Sequence, residues 1–303
     1  MRDPYPSRLT GEPRLLPRLD PVFYGKWDLS APLTLEQTTH FEELGFLVLE
    51  DLFSKSEVET LQAEMNRLLA ASQSLDPRTL ISEENSEEIR SIFLIHEQSK
   101  LMRQFVSDER MAGIARYLLD DDVYIHQSRL NYKPGFKGRE FYWHSDFETW
   151  HAEDGMPRMR ALSMSVLLEP NTTCNGPLML IPGSHRTFVA CVGETPDDHY
   201  QTSLKNQQVG VPDENTLAEL AARYGITAPT GAPGTVIIFD CNTIHGSNGN
   251  ITPFPRANAF FVFNAMSNQL VDPYRTHSPR PEFIASRDVK PIKVRALSGP
   301  ALS

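Results

Sequence analysis

The stretch "FYWHSDFETWHAEDGMPRMRALSMSVLLE", residues 141–169, joins two apolar segments that both have the character of β-strands. The Asp-Gly and Pro residues between the two segments mark a loop at which the chain turns. Similar segments precede and follow this stretch. The predicted strands are 123–133, 141–147, 160–169, 178–181, 235–240 and 256–264. Short strands separated by Gly and Pro predict a mainly β domain, a sandwich or jelly roll, with the earlier helices packed outside it.

Helical signals precede the strand series. Thr34-x-x-Gln37 and Ser54-x-x-Glu57 are capping boxes that each open a helix, and Gly45 ends the first helix. The second helix is amphipathic because apolar residues recur at spacings of three and four. These residues are Val58, Leu61, Met65 and Leu68.

The chain has 303 residues, which suits one large domain or two small ones. We predict a single domain over 1–303 with four parts. The parts are an N-terminal arm (1–31), a mainly helical segment (32–121), a jelly-roll core (122–271) and a C-terminal tail (272–303). A long, acidic, partly helical insertion interrupts the core at 186–232. Loops of such length are usually functional lids or disordered segments, so this insertion is our candidate lid.

Composition narrows the possible compartments and partners. No apolar run approaches the roughly 20 residues that a membrane helix needs, and the N-terminus lacks the apolar core of a signal peptide. Three scattered cysteines argue against a disulfide framework. We therefore expect a cytoplasmic protein. The net charge of −10 disfavours nucleic acid and anionic membranes as partners.

Three predicted strands each have one face of mostly polar or small side chains, because side chains alternate across a strand. These faces are Gln127, Arg129, Asn131 and Lys133; Ala161, Ser163 and Ser165; and Arg256, Asn258, Phe260 and Asn264. On the first strand, the opposite face comprises Tyr124, His126, Leu130 and Tyr132. Each face alone fits an exposed edge. Together they suit a barrel that encloses a small charged molecule.

A metal site is the main chemical hypothesis. His144 and Asp146 are two residues apart, so on a strand they project from one face and can grip one ion. His245 would complete a facial triad of two histidines and a carboxylate, which leaves three positions of an octahedral iron(II) open. A 2-oxo acid can occupy two of these positions and dioxygen the third. Arg256, eleven residues after His245, could reach the distal carboxylate of 2-oxoglutarate.

Other roles for the histidines have less support in the sequence than the triad. His151 and Glu153 form a second H-x-acid pair, but they fall in the predicted loop, where His151 would brace its neighbours. A zinc deaminase would require C-x-x-C, which the chain lacks. A zinc hydrolase stays open, although the carboxylate at 146 favours iron. The remaining histidines are expected on the surface in loops (His185, His199 and His277) or in helical regions without a special role (His40 and His96).

The motif set resembles the phytanoyl-CoA dioxygenase superfamily of iron(II)- and 2-oxoglutarate-dependent oxygenases, which share H-x-D, a distal His and a following Arg. More specifically, "FYWHSDFETWHAEDGMPRMRALS" (141–163) is similar to the signature of ectoine hydroxylases, which add a 5-hydroxyl to the compatible solute ectoine. Weaker similarity extends over "GFLVLEDLFS" (45–54), "GPLMLIPGSHRTFVACVGETPDDHY" (176–200) and "NAFFVFNAMSN" (258–268). The resemblance implies a double-stranded β-helix, or cupin-like jelly roll, for the core. It also implies a role in osmotic and heat stress protection, and a homodimer.

The resemblance further implies roles for individual residues. It implies iron(II) binding by His144, Asp146 and His245, and 2-oxoglutarate binding by Lys133, Asn131, Ser165 and Arg256. How Lys133 and Arg256 share the distal carboxylate stays open. It implies ectoine contacts by Gln127, Trp150, Phe239 and Phe260, together with Arg129, Thr149 and Asn258. Aromatic faces attract the cationic amidine of ectoine by about 0.5–2 kcal/mol each, although core packing is the commoner role of such residues.

Two other functions fit the same residues. The first keeps the chemistry and changes the substrate to another small zwitterion, such as a proline-type imino acid. The second is a catalytically silent jelly-roll module that binds a small solute. Intact residues at all three metal positions argue against the silent module, and a substrate panel would separate ectoine from other zwitterions.

Overall fold

The computed structural model describes residues 3–83 and 87–295, and within them the chain forms twelve strands and eight α-helices. The strands are β1 (Arg14–Pro17), β2 (Phe46–Leu49), β3 (Leu80–Ser82), β4 (Ile89–Phe93), β5 (Val123–Lys133), β6 (Phe141–His144), β7 (Ala161–Leu167), β8 (Leu178–Leu180), β9 (Thr187–Ala190), β10 (Val236–Asp240), β11 (His245–Ser247) and β12 (Arg256–Ala265). The α-helices are α1 (Leu35–Leu44), α2 (Lys55–Ala70), α3 (Ile95–Gln98), α4 (Lys100–Val106), α5 (Ile114–Leu119), α6 (Asp146–Thr149), α7 (Tyr200–Ser203) and α8 (Glu214–Tyr224). Two π-helical segments (Glu109–Gly113 and Trp150–Asp154) and four short 3₁₀ segments (Ser72–Ser74, Pro77–Thr79, Ser184–Arg186 and Met266–Asn268) complete the set.

The strands form one large sheet and two small ones. The large sheet has seven antiparallel strands in the order β2-β10-β7-β12-β5-β4-β3, and a three-stranded sheet has the order β6-β11-β8. The arm strand β1 pairs with β9 of the insertion. Side chains of the seven-stranded and three-stranded sheets line a common cavity. This arrangement, with the helices around the large sheet, confirms the predicted mainly β jelly roll.

The two faces of the large sheet have different neighbours. One face packs under the early helices, where Met164 and Phe261 join Leu61 and Met65 in the main apolar cluster. Residues on the opposite face, such as Phe239 and Phe260, point toward the cavity. The alternation predicted for β7 is therefore confirmed. In β5 it holds only from residue 127 onward.

A β-bulge at His126 changes the side-chain alternation at the start of β5. Gln127 pairs with Val262, but the next partner pair is Ile125 with Phe263, so His126 is an extra residue. A bulge shifts the side-chain phase by one. The prediction that His126 shares the face of Leu130 is therefore wrong: Ile125 joins the core with Leu130, while His126 faces Trp150.

Both predicted capping boxes are present. Thr34 and Ser54 accept from the backbone N–H groups of Gln37 and Glu57, and α1 ends at Gly45 in the left-handed conformation. Among the described residues, none of the helices has the length and apolar character needed to cross a membrane. Parts of the predicted arm (1–2), helical segment (84–86) and tail (296–303) lie outside the described residues.

The stretch after His144 differs from its prediction. The strand predicted for 141–147 ends at His144, and the predicted loop over 151–154 is π-helical and buried. Ser145 caps the new helix by accepting from the Glu148 backbone N–H, and Gly155 ends the π-helical turn in the left-handed conformation. Local capping therefore prevails over continuation of the strand.

Candidate metal centre and substrate cavity

His144, Asp146 and His245 meet where the three-stranded sheet ends. His144 is the last residue of β6 and His245 the first of β11, and the two are partners in the antiparallel register. The Nε2 atoms of His144 and His245 lie 3.6 and 3.9 Å from the two carboxylate oxygens of Asp146. The candidate ligand atoms all lie within 4.8 Å of one another.

Hydrogen bonds orient both imidazole rings toward the same point. His144 Nδ1 lies 2.9 Å from the Tyr142 carbonyl oxygen, and His245 Nδ1 lies 2.9 Å from the Thr243 carbonyl oxygen. Each Nδ1 must then carry the proton, so each Nε2 presents a lone pair to the triad. Ser163 Oγ donates to Asp146 Oδ2 at 3.3 Å, which leaves Oδ1 without a serine partner.

Asp146 does not project from a strand as predicted, because it is the first residue of α6. Its carboxylate still lies beside both histidines: β6 ends at His144, and the chain then turns at Ser145 so that Asp146 points to the same centre. The two residues of the H-x-D pair therefore belong to different elements: His144 ends a strand, and Asp146 begins a helix.

The triad's environment favours the protonation states that a divalent metal requires. Burial acts to raise the pKa of Asp146, but His245, His144 and Arg129 hold it below its usual range. Burial and the neighbouring His144 lower the pKa of His245 to about 4. A charged carboxylate beside neutral imidazole fits the 2-His-1-carboxylate set of iron(II) oxygenases.

A cavity opens beside His144 and His245. Its lining includes all four residues predicted for 2-oxoglutarate and four of those predicted for ectoine. These are Asn131, Lys133, Ser165 and Arg256, and Arg129, Phe239, Asn258 and Phe260. The Phe239 ring lies 4.9 Å from that of His245, and Asn258 donates to Ser165 Oγ. We name this space the cationic cavity, for the charges described next.

Three cations in the cationic cavity lack a carboxylate within ion-pair distance among residues 3–83 and 87–295. Lys133 Nζ donates to Ser247 Oγ at 3.0 Å and to the Asn248 carbonyl, and burial beside Arg256 lowers its pKa to about 6. Burial also lowers the pKa of Arg129 and of Arg256 to about 10 each. The Nε atoms of both arginines are buried and have no hydrogen-bond partner in the part of the chain that the structure describes. The charges that line the cavity therefore favour binding of an anion.

A second, smaller cavity lies on the other side of His144. Four predicted site residues line this cavity and not the first one: Gln127, Asp146, Thr149 and Trp150. It shares Arg129, Phe141, His144 and Leu204 with the cationic cavity, so the two spaces adjoin at the metal triad. We name it the aromatic cavity, after Trp150. Each of the fourteen residues predicted for the site lines one of these two cavities.

Comparison with known proteins connects this geometry to a family. The sequence profile of the phytanoyl-CoA dioxygenase (PhyH) family matches residues 41–258. This chain belongs to the PhyH family.

Named relatives cover nearly the whole of this PhyH-family chain. It is 62% identical over 300 residues to the ectoine dioxygenase of Sphingopyxis alaskensis, covering 99% of this chain and 98% of the relative. Its fold matches the crystal structure of EctD from S. alaskensis with 2-oxoglutarate and 5-hydroxyectoine, with a TM-score of 0.91 and 57% sequence identity. The crystal structure of the same enzyme with bound Fe matches with a TM-score of 0.89 and 57% identity. Both superpositions cover 99% of this chain and 100% of the other.

The site of this PhyH-family chain also contains residues that the sequence did not reveal. Arg90 lines the cationic cavity, where it donates to Glu83 at 2.7 Å and lies over the ring of Phe141. Arg280 of the tail lines the aromatic cavity and donates twice to Asp154. Neither arginine belongs to a periodic pattern, so no local signal marks them.

The other histidines of this PhyH-family chain lie outside the triad. His151 braces its neighbours: Nδ1 bonds the Met156 carbonyl at 2.7 Å, and the ring stacks on Tyr274. The prediction that His185 and His199 lie on the surface is wrong, because both are buried against other parts of the chain. His185 bonds the Glu42 carbonyl, and His199 bonds Glu153. The third loop histidine, His277, is exposed as predicted.

Proposed function

We propose that this protein hydroxylates ectoine to 5-hydroxyectoine with iron(II), 2-oxoglutarate and dioxygen. The observation that carries the proposal is a buried His-Asp-His triad that adjoins both a cavity of unpaired cations and a cavity with an aromatic wall. Similarity over the full chain to an ectoine dioxygenase supports the same assignment. Under this proposal the protein belongs to compatible-solute synthesis and to protection against osmotic and heat stress.

Iron is the group that the triad would hold. His144, Asp146 and His245 would bind it on one face, and the two backbone-bonded Nδ1 atoms keep both rings in the required tautomer. Iron(II) with 2-oxoglutarate and dioxygen supplies oxidative decarboxylation of the oxo acid to succinate, coupled to hydroxylation of a C–H bond. The chain's own contribution is placement of the two reactants and exclusion of water.

The cationic cavity suits 2-oxoglutarate because that molecule carries two carboxylates. We assign its binding to Arg256, Lys133, Asn131 and Ser165. Arg256 has a planar fork with an unpaired Nε, which suits two parallel bonds to one carboxylate. Lys133 is a point charge and adds attraction without that directionality. A dianion would also relieve the desolvation that lowers the pKa of both residues.

The aromatic cavity suits the zwitterion ectoine. Trp150 offers an aromatic face to the delocalised amidine cation, while Gln127, Thr149 and Arg129 offer polar groups. Gln127 Nε2 donates to the Ile284 carbonyl of the tail, and its amide oxygen can accept a hydrogen bond from a ligand. Among the predicted substrate contacts, Phe239, Asn258 and Phe260 line the cationic cavity, and we propose that they meet the substrate from the metal side.

The insertion 186–232 is the proposed lid. Leu204 lines both cavities, and Gln207 Nε2 donates to Thr149 Oγ1 at 2.8 Å across the aromatic cavity. Segments that cover a reacting centre exclude water, which protects an oxidising site from side reactions. Closure of this insertion over bound substrate would serve that purpose.

We also propose that the protein acts as a homodimer in the cytoplasm. Two-fold homodimers are the commonest oligomers of soluble proteins, and all three cysteines (Cys174, Cys191 and Cys241) are free, which suits a reducing compartment. Light scattering coupled to size-exclusion chromatography would give the mass of the native protein. A monomeric mass would contradict the dimer and leave the chemistry intact.

A coupled assay tests the proposed reaction. Protein purified without oxygen receives iron(II), 2-oxoglutarate, air and either ectoine or L-proline. We expect succinate release that depends on ectoine, and a product heavier than ectoine by one oxygen atom in the mass spectrum. Equal or greater release with proline would contradict the substrate. No release with any zwitterion, despite bound iron, would contradict the reaction class.

A further inference from the structure

The N-terminal arm lies outside the stretch matched by the PhyH profile, yet the side chains of two of its arginines are buried against segments that lead to the metal triad. The side chains of Arg8 and Arg18 are 1% and 4% exposed. Arg14, between them, is exposed on β1. Burying a guanidinium requires compensation by charge and hydrogen bonds, so the burial of two arginines in a surface arm calls for a specific cause.

Arg18 is fully bonded at a junction of four segments. Its two Nη atoms donate to the two carboxylate oxygens of Asp240 at 2.7 and 2.9 Å. Further donations go to carbonyl oxygens of the arm and of the core. These acceptors are Asp20, Pro21, Met159 and His185. Burial opposes the charge, but Asp240 holds the pKa of Arg18 above its usual range. Lysine has no planar fork and could not make this set of bonds.

Asp240 begins the turn that connects β10 to the ligand His245. Its Oδ1 accepts from the Asn242 backbone N–H at 2.8 Å, and its carbonyl accepts from the Thr243 N–H at 3.0 Å. Thr243 in turn provides the carbonyl that fixes the tautomer of His245. The guanidinium of Arg18 is thus two hydrogen-bonded steps from the group that orients one metal ligand.

The same turn reaches the other two ligands. Asn242 Oδ1 accepts from the hydroxyl of Ser145, the residue between His144 and Asp146, at 3.1 Å. The Cys241 carbonyl accepts from the Phe147 backbone N–H at 2.8 Å. The turn 240–243 therefore holds the segment that carries the first two ligands while it positions the third.

Arg8 anchors the opposite side of that segment. It donates from Nε and Nη2 to the carboxylate of Glu148, two residues after Asp146, and from Nη1 to Glu153. Ser7 Oγ also donates to Glu148, at 2.6 Å. The arm consequently contacts the ligand-bearing chain on both sides of the triad.

We infer that the N-terminal arm is part of the metal site, and that Arg18, acting through Asp240, is a positioning residue for all three iron ligands. The inference rests on the iron binding in the proposed function and is independent of the substrate. Removal of a group that orients a metal ligand typically weakens metal binding by about 10–100-fold. An arm that served only general stability would change the melting temperature and leave the affinity of the folded protein unchanged.

Titration of the apo full-length protein with Co(II), without 2-oxoglutarate or substrate, tests the inference. R18K retains a positive charge beside Asp240, R14K is the matched control on the same arm, and R18Q/D240N removes both buried charges together. We expect R14K to bind as wild type does. R18K and R18Q/D240N should bind about 10-fold more weakly, with altered d–d absorption bands, while circular dichroism shows a folded chain.

The outcomes distinguish the positioning role of Arg18 from the proposed metal binding. Wild-type affinity and spectrum in folded R18K or folded R18Q/D240N would overturn the positioning role. If R18K does not fold, the charge-neutral double variant decides, since it leaves no buried carboxylate without a cation. Absence of Co(II) and Fe(II) binding by the wild type would instead contradict the proposed metal chemistry itself.

Discussion

Two groups of cations in this molecule differ in what they face. In the cationic cavity, Lys133, Arg129 and Arg256 face open space and lack carboxylate partners among the residues described. In the N-terminal arm, Arg8 and Arg18 have side chains that are only 1% and 4% exposed, and they bind carboxylates at 2.7–3.1 Å. Both groups consist mainly of arginines.

The difference is visible in the direction of the pKa shifts. Burial without a partner lowers the pKa of Arg129 and Arg256, whereas burial beside carboxylates leaves the pKa of Arg8 and Arg18 raised. An unpaired buried charge costs folding free energy, and a ligand of opposite charge recovers it. The unpaired region is therefore built for a ligand and the paired region for the scaffold.

The largest effect should follow loss of the triad, where the two regions meet. H144A and D146A should lose bound iron and reduce turnover by roughly 10³-fold or more, because the metal contributes several kcal/mol to the reaction. Iron content by elemental analysis and succinate release by chromatography measure both effects. H277A is the control because its imidazole is exposed. Iron retained at wild-type content in both triad variants would place the metal elsewhere.

A matched pair of arginine variants should distinguish the two regions directly. R256M should raise the KM for 2-oxoglutarate by about 10–100-fold through loss of a charge-assisted pair, yet leave the unfolding free energy of the ligand-free protein unchanged or higher. R18M should instead lower that free energy by about 3–5 kcal/mol, because Asp240 stays buried and charged without a cation. Urea denaturation and steady-state kinetics give the two readouts. Equal destabilisation by R256M and R18M would remove the distinction between the regions.

Lys133 should make the stability of the ligand-free protein and its binding of 2-oxoglutarate depend on pH. Its pKa of about 6 lies below the 10.5 of an unfolded lysine, so between these values the unfolded chain binds more protons than the folded one. Stability of the ligand-free protein should therefore rise with pH across that window, and less so in K133M. Binding of 2-oxoglutarate should restore the charge and take up a proton near pH 7.5.

Calorimetry in two buffers of different ionisation enthalpy measures that proton uptake. K26M is the control, since Lys26 is exposed in the arm. If K133M takes up as many protons as the wild type on binding 2-oxoglutarate, another group is responsible.

Local patterns predicted much of the fold. Strand β5 begins and ends at the predicted residues 123 and 133, and both capping boxes open helices where expected. These features depend on alternation and on neighbours three residues apart, which one sequence displays. Ser145-x-x-Glu148 has the same capping spacing, so the helix after His144 was also predictable from a signal that was present.

Other features depend on contacts that a single sequence does not display. The bulge at His126 adds one residue to a strand whose alternation otherwise continues. Arg8 and Glu148 lie 140 residues apart, and Arg18 and Asp240 lie 222 apart. Each of these four residues is of a type that is ordinary on a protein surface, so nothing in the sequence around it indicates a buried ion pair. The contacts of the arm with the segments that carry the triad could therefore not be predicted from the sequence.

The smallest effect is expected in the aromatic cavity, whose proposed ligand contact is mainly a neutral ring. Trp150 is 3% exposed and lies edge to face with His126 at 5.1 Å. Removing one cation–π contact of about 0.5–2 kcal/mol in W150L should raise the KM for ectoine by roughly 2–30-fold, with a smaller rise in W150F. The KM for 2-oxoglutarate should stay constant, because the proposed site of that molecule is the group of unpaired cations in the cationic cavity. W27L, in the arm, controls for loss of an indole elsewhere. A rise in the 2-oxoglutarate KM with an unchanged ectoine KM would reverse the assignment of the two cavities.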